Sequence, residues 1–328
     1  MGYRVTSLRI DDHRQGLVEL WQQNFRDPLT DPYTAERFAW LYQRGSHDSQ
    51  TWLAVDSDSN TVVGCGSAFR AAKQIRGEIV GAGVSIALAV EQRHRTAAAA
   101  LAIQRALTAD AARMGWRFLV AKPNDKALPI FSRVGYRSVG LIPDWGKMLD
   151  REIEPGPDAP SYVEEIVGQA DERFDRLWER AHPRYRFVGE KTSAFLNWRY
   201  SGFQAPGYRF YCLLGREDRQ LLAYLVFYGW RRGYFIADLF CEDPTGPALD
   251  NLLLGFAGRM KQQGGSWIGI AYFGVSSFED DLLRLGFIQC RSGSPLVAYV
   301  DPSLPPEFGE EIFDKNNWFT FAGETHIF

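Results

Sequence analysis

The order of landmarks along the chain occurs twice, and that repetition limits the fold more than any other feature. Leu20-Trp21 returns as Leu177-Trp178, and Phe38-Ala39-Trp40-Leu41-Tyr42 returns as Leu196-Asn197-Trp198-Arg199-Tyr200. The apolar runs around Val55–Gly64 return around Leu214–Ala223, with Asp56–Asn60 and Gly215–Arg219 as their turns. Gly115-Trp116 corresponds to Ser266-Trp267, and Gly135-Tyr136 to Gly286-Phe287. Five matches in one order, offset by about 151 to 159 residues, indicate two copies of one plan. The 328 residues exceed one ordinary domain and suit two. Between the copies, Glu154-Pro155-Gly156-Pro157-Asp158-Ala159-Pro160 reads as a linker, because apolar periodicity stops there. The expected division is a first domain over 1–153, a linker over 154–161 and a second domain over 162–328.

Within the first copy, Arg14–Asn24 reads as a helix with Leu17, Leu20 and Trp21 on one face, and Thr34–Tyr42 as a second helix capped by Thr34. Strands are expected over Thr51–Val55 and Thr61–Phe69, then over Ile75–Val80 and Val84–Val90 with a bend at Gly81 and Gly83. A helix follows with Ile103, Leu107, Ala111 and Met114 as its buried stripe, and Gly115 ends it. Trp116–Ala121 reads as a strand, Asn124–Arg133 as a short helix, and a final strand pair follows Gly135-Tyr136. The fold class is α/β, each copy a mixed central sheet flanked by helices.

Composition removes several function classes. Apolar residues at 45% and charged residues at 23% describe a globular chain, and no apolar run approaches a membrane span. The opening Met1-Gly2-Tyr3-Arg4 has no apolar stretch, so neither a secretory signal nor a lipid anchor is expected, and the cytoplasm is the expected location. A net charge of −3 argues against a nucleic-acid partner. Cys65, Cys212, Cys241 and Cys290 are scattered and read as buried free thiols. The five histidines are isolated, so no metal site is expected.

Chemistry concentrates where an apolar run ends at Val90, a basic loop follows, and an alanine-rich helix opens through Thr96, Ala97, Ala98, Ala99 and Ala100. A helix start offers backbone N–H groups and a dipole that attract phosphate. Small side chains let a pyrophosphate approach, and Arg95 adds a guanidinium.

This stretch resembles the acyl-CoA loop of the GCN5-related N-acetyltransferase (GNAT) family, Arg/Gln-x-x-Gly-x-Gly/Ala between its fourth strand and third helix. Arg95 and Ala100 match, and Ala98 stands where the family has glycine. Asn124 through Tyr136 is similar to the family's Asn-x-x-Ala, aromatic, Gly-Phe/Tyr pattern. The resemblance covers roughly residues 50–140, and reaches the second copy only through its architecture. It implies two tandem GNAT-like domains and acetyl-CoA or another acyl-CoA as cofactor. Its implied cofactor residues are Val90, Arg95 to Ala100, Asn124 on the pantetheine path, and Phe131. Phe131 stands where many members have a Tyr general acid, and it cannot donate a proton.

The equivalent loop of the second copy, Cys241-Glu242-Asp243-Pro244-Thr245-Gly246-Pro247, is acidic and carries prolines, so it repels a pyrophosphate. The cofactor is therefore expected in the first copy alone. A base is needed to take the amine's proton. The run Val84–Val90 has no carboxylate, whereas its counterpart contains Asp238. Glu324, His326 and Glu78 are further candidates. Asn197-Trp198-Arg199-Tyr200 resembles a stretch of two-domain acetyltransferase-like proteins from cell-envelope gene clusters, which implies Arg199 and Tyr200 as holders of an acidic or sugar-like substrate. The expected activity is N-acyl transfer to an amine of a small molecule, possibilities including a sugar or cell-envelope precursor. Two alternatives stand beside it, an aminoacyl-tRNA-dependent peptide-bridge transferase and a non-catalytic CoA sensor. Oligomeric state is left open.

Overall fold

The computed structural model describes residues 2–25, 34–42, 49–157, 159–202 and 207–325. The first half contributes β1 (Tyr3–Ser7), α1 (Ile10–Asn24), α2 (Thr34–Tyr42), β2 (Gln50–Asp56), β3 (Val62–Ile75) and β4 (Glu78–Val90). It continues with α3 (Ala97–Ala111), β5 (Phe118–Ala121), α4 (Leu128–Arg133) and β6 (Arg137–Met148). The second half opens with β7 (Tyr162–Val167), α5 (Glu172–Ala181), β8 (Phe187–Gly189) and α6 (Ser193–Leu196), which runs into a π turn over Asn197–Ser201. Then come β9 (Arg209–Gly215), β10 (Leu221–Trp230), β11 (Gly233–Cys241), α7 (Pro247–Gln262), β12 (Trp267–Gly274), α8 (Ser276–Arg284) and β13 (Ile288–Val300). The described chain ends through α9 (Pro306–Ile312), β14 (Trp318–Phe321) and α10 (Ala322–Thr325).

The order of elements recurs along the chain. β2-β3-β4-α3-β5-α4-β6 and β9-β10-β11-α7-β12-α8-β13 follow one order. Left-handed glycines recur at equivalent places, Gly115 and Gly264 after the long helices, Gly135 and Gly286 after the short ones. Trp40 and Trp198 meet, their rings stacked with centroids 4.9 Å apart, and Trp40 Nε1 donates to the Trp198 carbonyl. Such a stack contributes about 0.5–1.5 kcal/mol beyond the area it buries.

Residues 152–156 form no helix or strand, but the sheet is not divided there. Among the described residues fourteen strands form one sheet, and its middle runs β4-β5-β13-β6-β12-β11. The strand after the short helix of each half sits beside the other half's strand before that helix: β13 pairs with β5 and β6 with β12. β8 adds a second bridge, pairing with β3 on one side and β14 on the other, and β14 returns to β12. The result is a closed circuit of eight strands, β3-β4-β5-β13-β6-β12-β14-β8. Its interior is filled by Phe118, Val120, Ile142, Phe187, Phe273, Leu296 and Trp318, as expected for a ring too narrow for a channel.

Two local expectations change. The bend between β3 and β4 lies at Arg76-Gly77, both with positive φ (52° and 86°), instead of at Gly81 and Gly83. Those two glycines lie within β4 because Cβ atoms there would strike the Gly115 carbonyl and the Trp116 ring. Cys290 is exposed, and the other three cysteines are buried thiols as expected. Among the described residues no helix is long and apolar enough to cross a membrane, and no cluster of His, Cys, Asp and Glu could hold a metal.

Candidate functional site

β4 and β5 pair in parallel from Ala82 opposite Phe118 to Ser85 opposite Ala121, and then stop. The cause lies in β4. Its register against β3 shifts between Cys65 and Ser67, and Ala87 there takes a positive φ of 53°. A bulge of this kind bends a strand and ends its pairing. β4 therefore veers from β5 beyond Ser85, leaving the facing backbone edges without a ladder.

α3 opens at the mouth of this cleft. Its N-cap, Thr96, makes no side-chain cap, so the N–H groups of the first turn face outward without a side-chain acceptor. Ala99 and Ala100 pack into the core, whereas Ala98 is exposed. The methyl that replaces the family glycine is thus turned away from the packed face of the helix. Arg95 folds back, with Nε donating to the Val90 carbonyl at 3.3 Å and Nη2 to Asn24 Oδ1 at 3.1 Å. It fixes the loop to β4 and α1 while remaining exposed. Asn124 sits where β5 leads into α4, and its Oδ1 accepts from Ala127 N–H at 3.0 Å, closing that turn. Phe131 points into the core against Tyr136, with ring centroids 4.9 Å apart.

Three polar groups at the cleft escape notice in the sequence. Ser85 Oγ and the Tyr136 hydroxyl are buried on the α3 side with no hydrogen bond of good geometry. Burial pushes the Tyr136 phenol up, and the nearby Ser85 offsets part of the rise. Lys122 follows the last paired residue of β5. Burial lowers its pKa, and the Asp144 carboxylate of β6 opposes that shift. No motif flags these residues, since a single Lys, Ser or Tyr at a strand end is ordinary until topology shows which strands part. The cleft, the bare helix start and the buried Ser85 and Tyr136 hydroxyls fit an extended, amide-bearing, phosphorylated group such as acyl-CoA.

The equivalent place in the second half is filled by the chain itself. β11 and β12 pair from Gly233 opposite Trp267 to Ile236 opposite Ile270 and then separate. β14 pairs with β12 in the gap, and α10 follows beside β11. Gly323 sits so close to the Ala237 carbonyl and the Tyr200 hydroxyl that a Cβ would not fit. The loop before α7 is closed as well, with Asp243 Oδ1 accepting from Thr245 N–H and Oγ1 and Pro247 opening the helix.

This packing decides the surroundings of the expected bases. Lys191 Nζ donates to Asp238 Oδ1 and Oδ2 at 2.6 and 2.7 Å and to Glu324 Oε1 at 3.0 Å. Lys73 Nζ donates to Glu324 Oε2 at 2.5 Å, and the Tyr200 hydroxyl to Asp238 Oδ2 at 2.9 Å. All five side chains are buried. Burial opposes the charge of Glu324, but two lysines outweigh it and hold its carboxyl down at about 2. Burial raises Asp238 against the pull of Lys191. Burial also opposes the Lys191 charge, and the two carboxylates overcome it, leaving its pKa raised. The structure brings Asp238 and Glu324 together, but as members of a charge-balanced buried chain that reaches no surface. Arg199 and Tyr200 are each 1% exposed. Arg199 lies over the Trp40 and Tyr200 rings at 5.6 and 5.1 Å, so both residues are core members and not an open substrate surface. Glu78 is exposed at the far end of β4, next to the Arg76-Gly77 turn. His326 lies outside the described residues.

The strand order, the bulged and parting β4, and the helix behind it decide the fold. The chain has the GCN5-related N-acetyltransferase fold. A GCN5-related N-acetyltransferase from Anabaena variabilis superimposes with a TM-score of 0.72 at 13% identity, covering 91% of this chain and 73% of that one. One from Kribbella flavida gives 0.64 at 13% identity, covering 91% and 71%. Saccharomyces cerevisiae N-myristoyltransferase with bound myristoyl-CoA gives 0.58 at 12% identity, covering 90% and 78%. No protein-family model and no curated protein matches the sequence. At these identities the likeness is one of GNAT architecture, and the two halves express it unequally: one keeps the parted strands open, and the other fills them.

Proposed function

We propose that the protein is an acyl-CoA-dependent N-acyltransferase whose single cofactor cleft lies between β4 and β5. The observation that carries this reading is the divergence after Ser85 and Ala121, set against the filled cleft of the second half. The first turn of α3 would receive the pyrophosphate, with Arg95 holding the loop in shape. Ser85 and Tyr136 would satisfy polar groups of the pantetheine arm. Acyl-CoA would supply the acyl group as a thioester; the transfer forms a C–N bond, breaks the C–S bond, and moves one proton from the amine, by way of a base, to the departing CoA thiolate. Lys122 stands where the strands part; burial there lowers its pKa, which favours the neutral amine that could take that proton. The solved neighbours described as N-acetyltransferases and an N-myristoyltransferase support this class of reaction.

Calorimetric titration with acetyl-CoA tests the reading. One site per chain is expected, and Arg95→Ala should weaken binding about tenfold by loosening the loop. No binding by the unaltered protein would overturn it. Tight binding without thiol release across an amine panel would favour a sensor that binds CoA without turnover.

A further inference from the structure

The sheet face that lines the interior of the closed circuit continues beyond it, and there it carries partly exposed rings. β5 and β6 both run antiparallel to β13, so the last residues of β6 lie toward the end where β4 and β5 part. β12 runs against β6, bringing its first residues to that same end. Ile142 and Ala271 belong to the packed interior and so identify the face. Alternation along β6 then places Asp144, Gly146 and Met148 on it, opposite Ala271, Gly269 and Trp267 of β12. Phe235 of β11 pairs with Gly269.

The glycines give this face its form. A methyl on Gly233 would fall inside the Trp267 indole, and one on Gly269 would lie 2.9 Å from Phe235 and 3.1 Å from Trp267. Bare backbone thus seats the two rings side by side against the sheet. Tyr228 extends the row, 5.7 Å from Phe235 between centroids. Trp267 and Phe235 keep part of their surface open, and beside them Met148 is 59% exposed and Ile288 65% exposed. These side chains lie side by side on one sheet face and offer apolar surface that a ligand could cover. It also has a charged end: Asp144 is only half-buried and lies within electrostatic reach of Lys122, the residue at the parting strands. Arg291, its register partner on β13, is exposed.

We infer that this face receives the acceptor, and that the acceptor is a primary amine carried on a flat ring. This rests on the proposed cofactor cleft and names its substrate class. The rings of Trp267 and Phe235 offer stacking to a flat partner. Asp144 supplies the carboxylate that an ammonium group needs on leaving water. An unbranched alkyl amine would meet the carboxylate but gain nothing from the rings.

The test is calorimetric titration of the CoA-saturated protein with tryptamine, glucosamine and n-butylamine. Tryptamine should bind, and n-butylamine should bind at least about tenfold more weakly. Glucosamine, whose pyranose is a puckered chair, should bind more weakly than tryptamine, and binding of glucosamine alone would overturn the flat-ring assignment. Trp267→Ala and Asp144→Asn should each weaken the ring amine about tenfold without changing CoA affinity, whereas Trp267→Phe should retain most of it. Thermal midpoints of the variants separate lost binding from lost folding. Equal binding of all three amines, binding of none, or a Trp267→Ala effect confined to the midpoint would overturn the inference. So would a dimer that Met148→Asp dissociates, because a second copy would then own the face. Ring-amine binding without any CoA binding would instead overturn the proposed cofactor cleft and leave the amine face standing.

Discussion

Glu324 stands between two lysines brought from Lys73 of β3 and Lys191 of the segment before α6, and its sequence context announces neither. Asp238 is conspicuous in the sequence as an acid in an apolar strand, but its partner lies 47 positions away and becomes visible only in the folded chain. This is why reading residues singly suggests bases where the structure has a buried ion chain. Removing one member leaves a buried charge without a counter-ion, which costs about 3–5 kcal/mol. Glu324→Gln should therefore lower the urea midpoint strongly at pH 7, and adding Lys73→Met should recover part of the loss. The Glu324 carboxyl is held at about 2 against an ordinary 4.5, so its contribution is complete above pH 4.5 and is lost as pH falls toward 2. Asp238 is shifted the opposite way and offsets part of that slope. Stability measured from pH 5 to pH 2 should fall less steeply in Glu324→Gln than in the unaltered protein. An unchanged midpoint at pH 7 would show that the chain is not a structural element.

At the scale of elements, most strands and helices are legible from periodicity. The Thr34–Tyr42 helix has the expected bounds, and the alanine-rich helix begins after Thr96. The glycines of β4 mislead, because a glycine inside a strand signals either a bend or a close approach, and only the partner decides. Here the partners are the Gly115 carbonyl and the Trp116 ring. The bulge at Ala87 is hidden altogether, since an alanine with positive φ leaves no mark in composition. Yet that bulge parts β4 from β5 and makes the cleft. Gly81→Ala should lower the thermal midpoint by the equivalent of about 1–3 kcal/mol, as overpacking against a backbone carbonyl does. Gly258→Ala, at an open position in α7, should be neutral or stabilising by up to about 1 kcal/mol. Equal effects of the two would contradict the close approach of β4 to the turn at Gly115.

The molecule as a whole is less divisible than its repeat suggests. The sequence reads as two copies and a linker, and periodicity within each copy says nothing about which strands neighbour one another. The exchange of β6 and β13, and the strap of β8 and β14, depend on pairings across the linker. A fragment of residues 1–161 would leave β5 without β13 and β6 without β12. Expressed alone, it should show no cooperative unfolding transition, whereas the full chain should unfold in a single transition. Two independent transitions in the full chain would contradict the shared ring.

The shared ring also explains how two similar halves come to differ. The second half spends its parted strands on its own β14 and α10, and the first half keeps its pair open beneath α3. Acetyl-CoA titration of the unaltered protein beside Ala98→Glu tests that asymmetry most directly. A carboxylate at this exposed first-turn position suits the helix dipole and should leave the thermal midpoint unchanged or raised by about 0.3–1 kcal/mol of stability. At the same position it would repel a pyrophosphate. One site per chain in the unaltered protein, lost in Ala98→Glu with the midpoint preserved, is the predicted result. Two sites, or binding that Ala98→Glu leaves intact, would contradict the placement of the cofactor between β4 and β5.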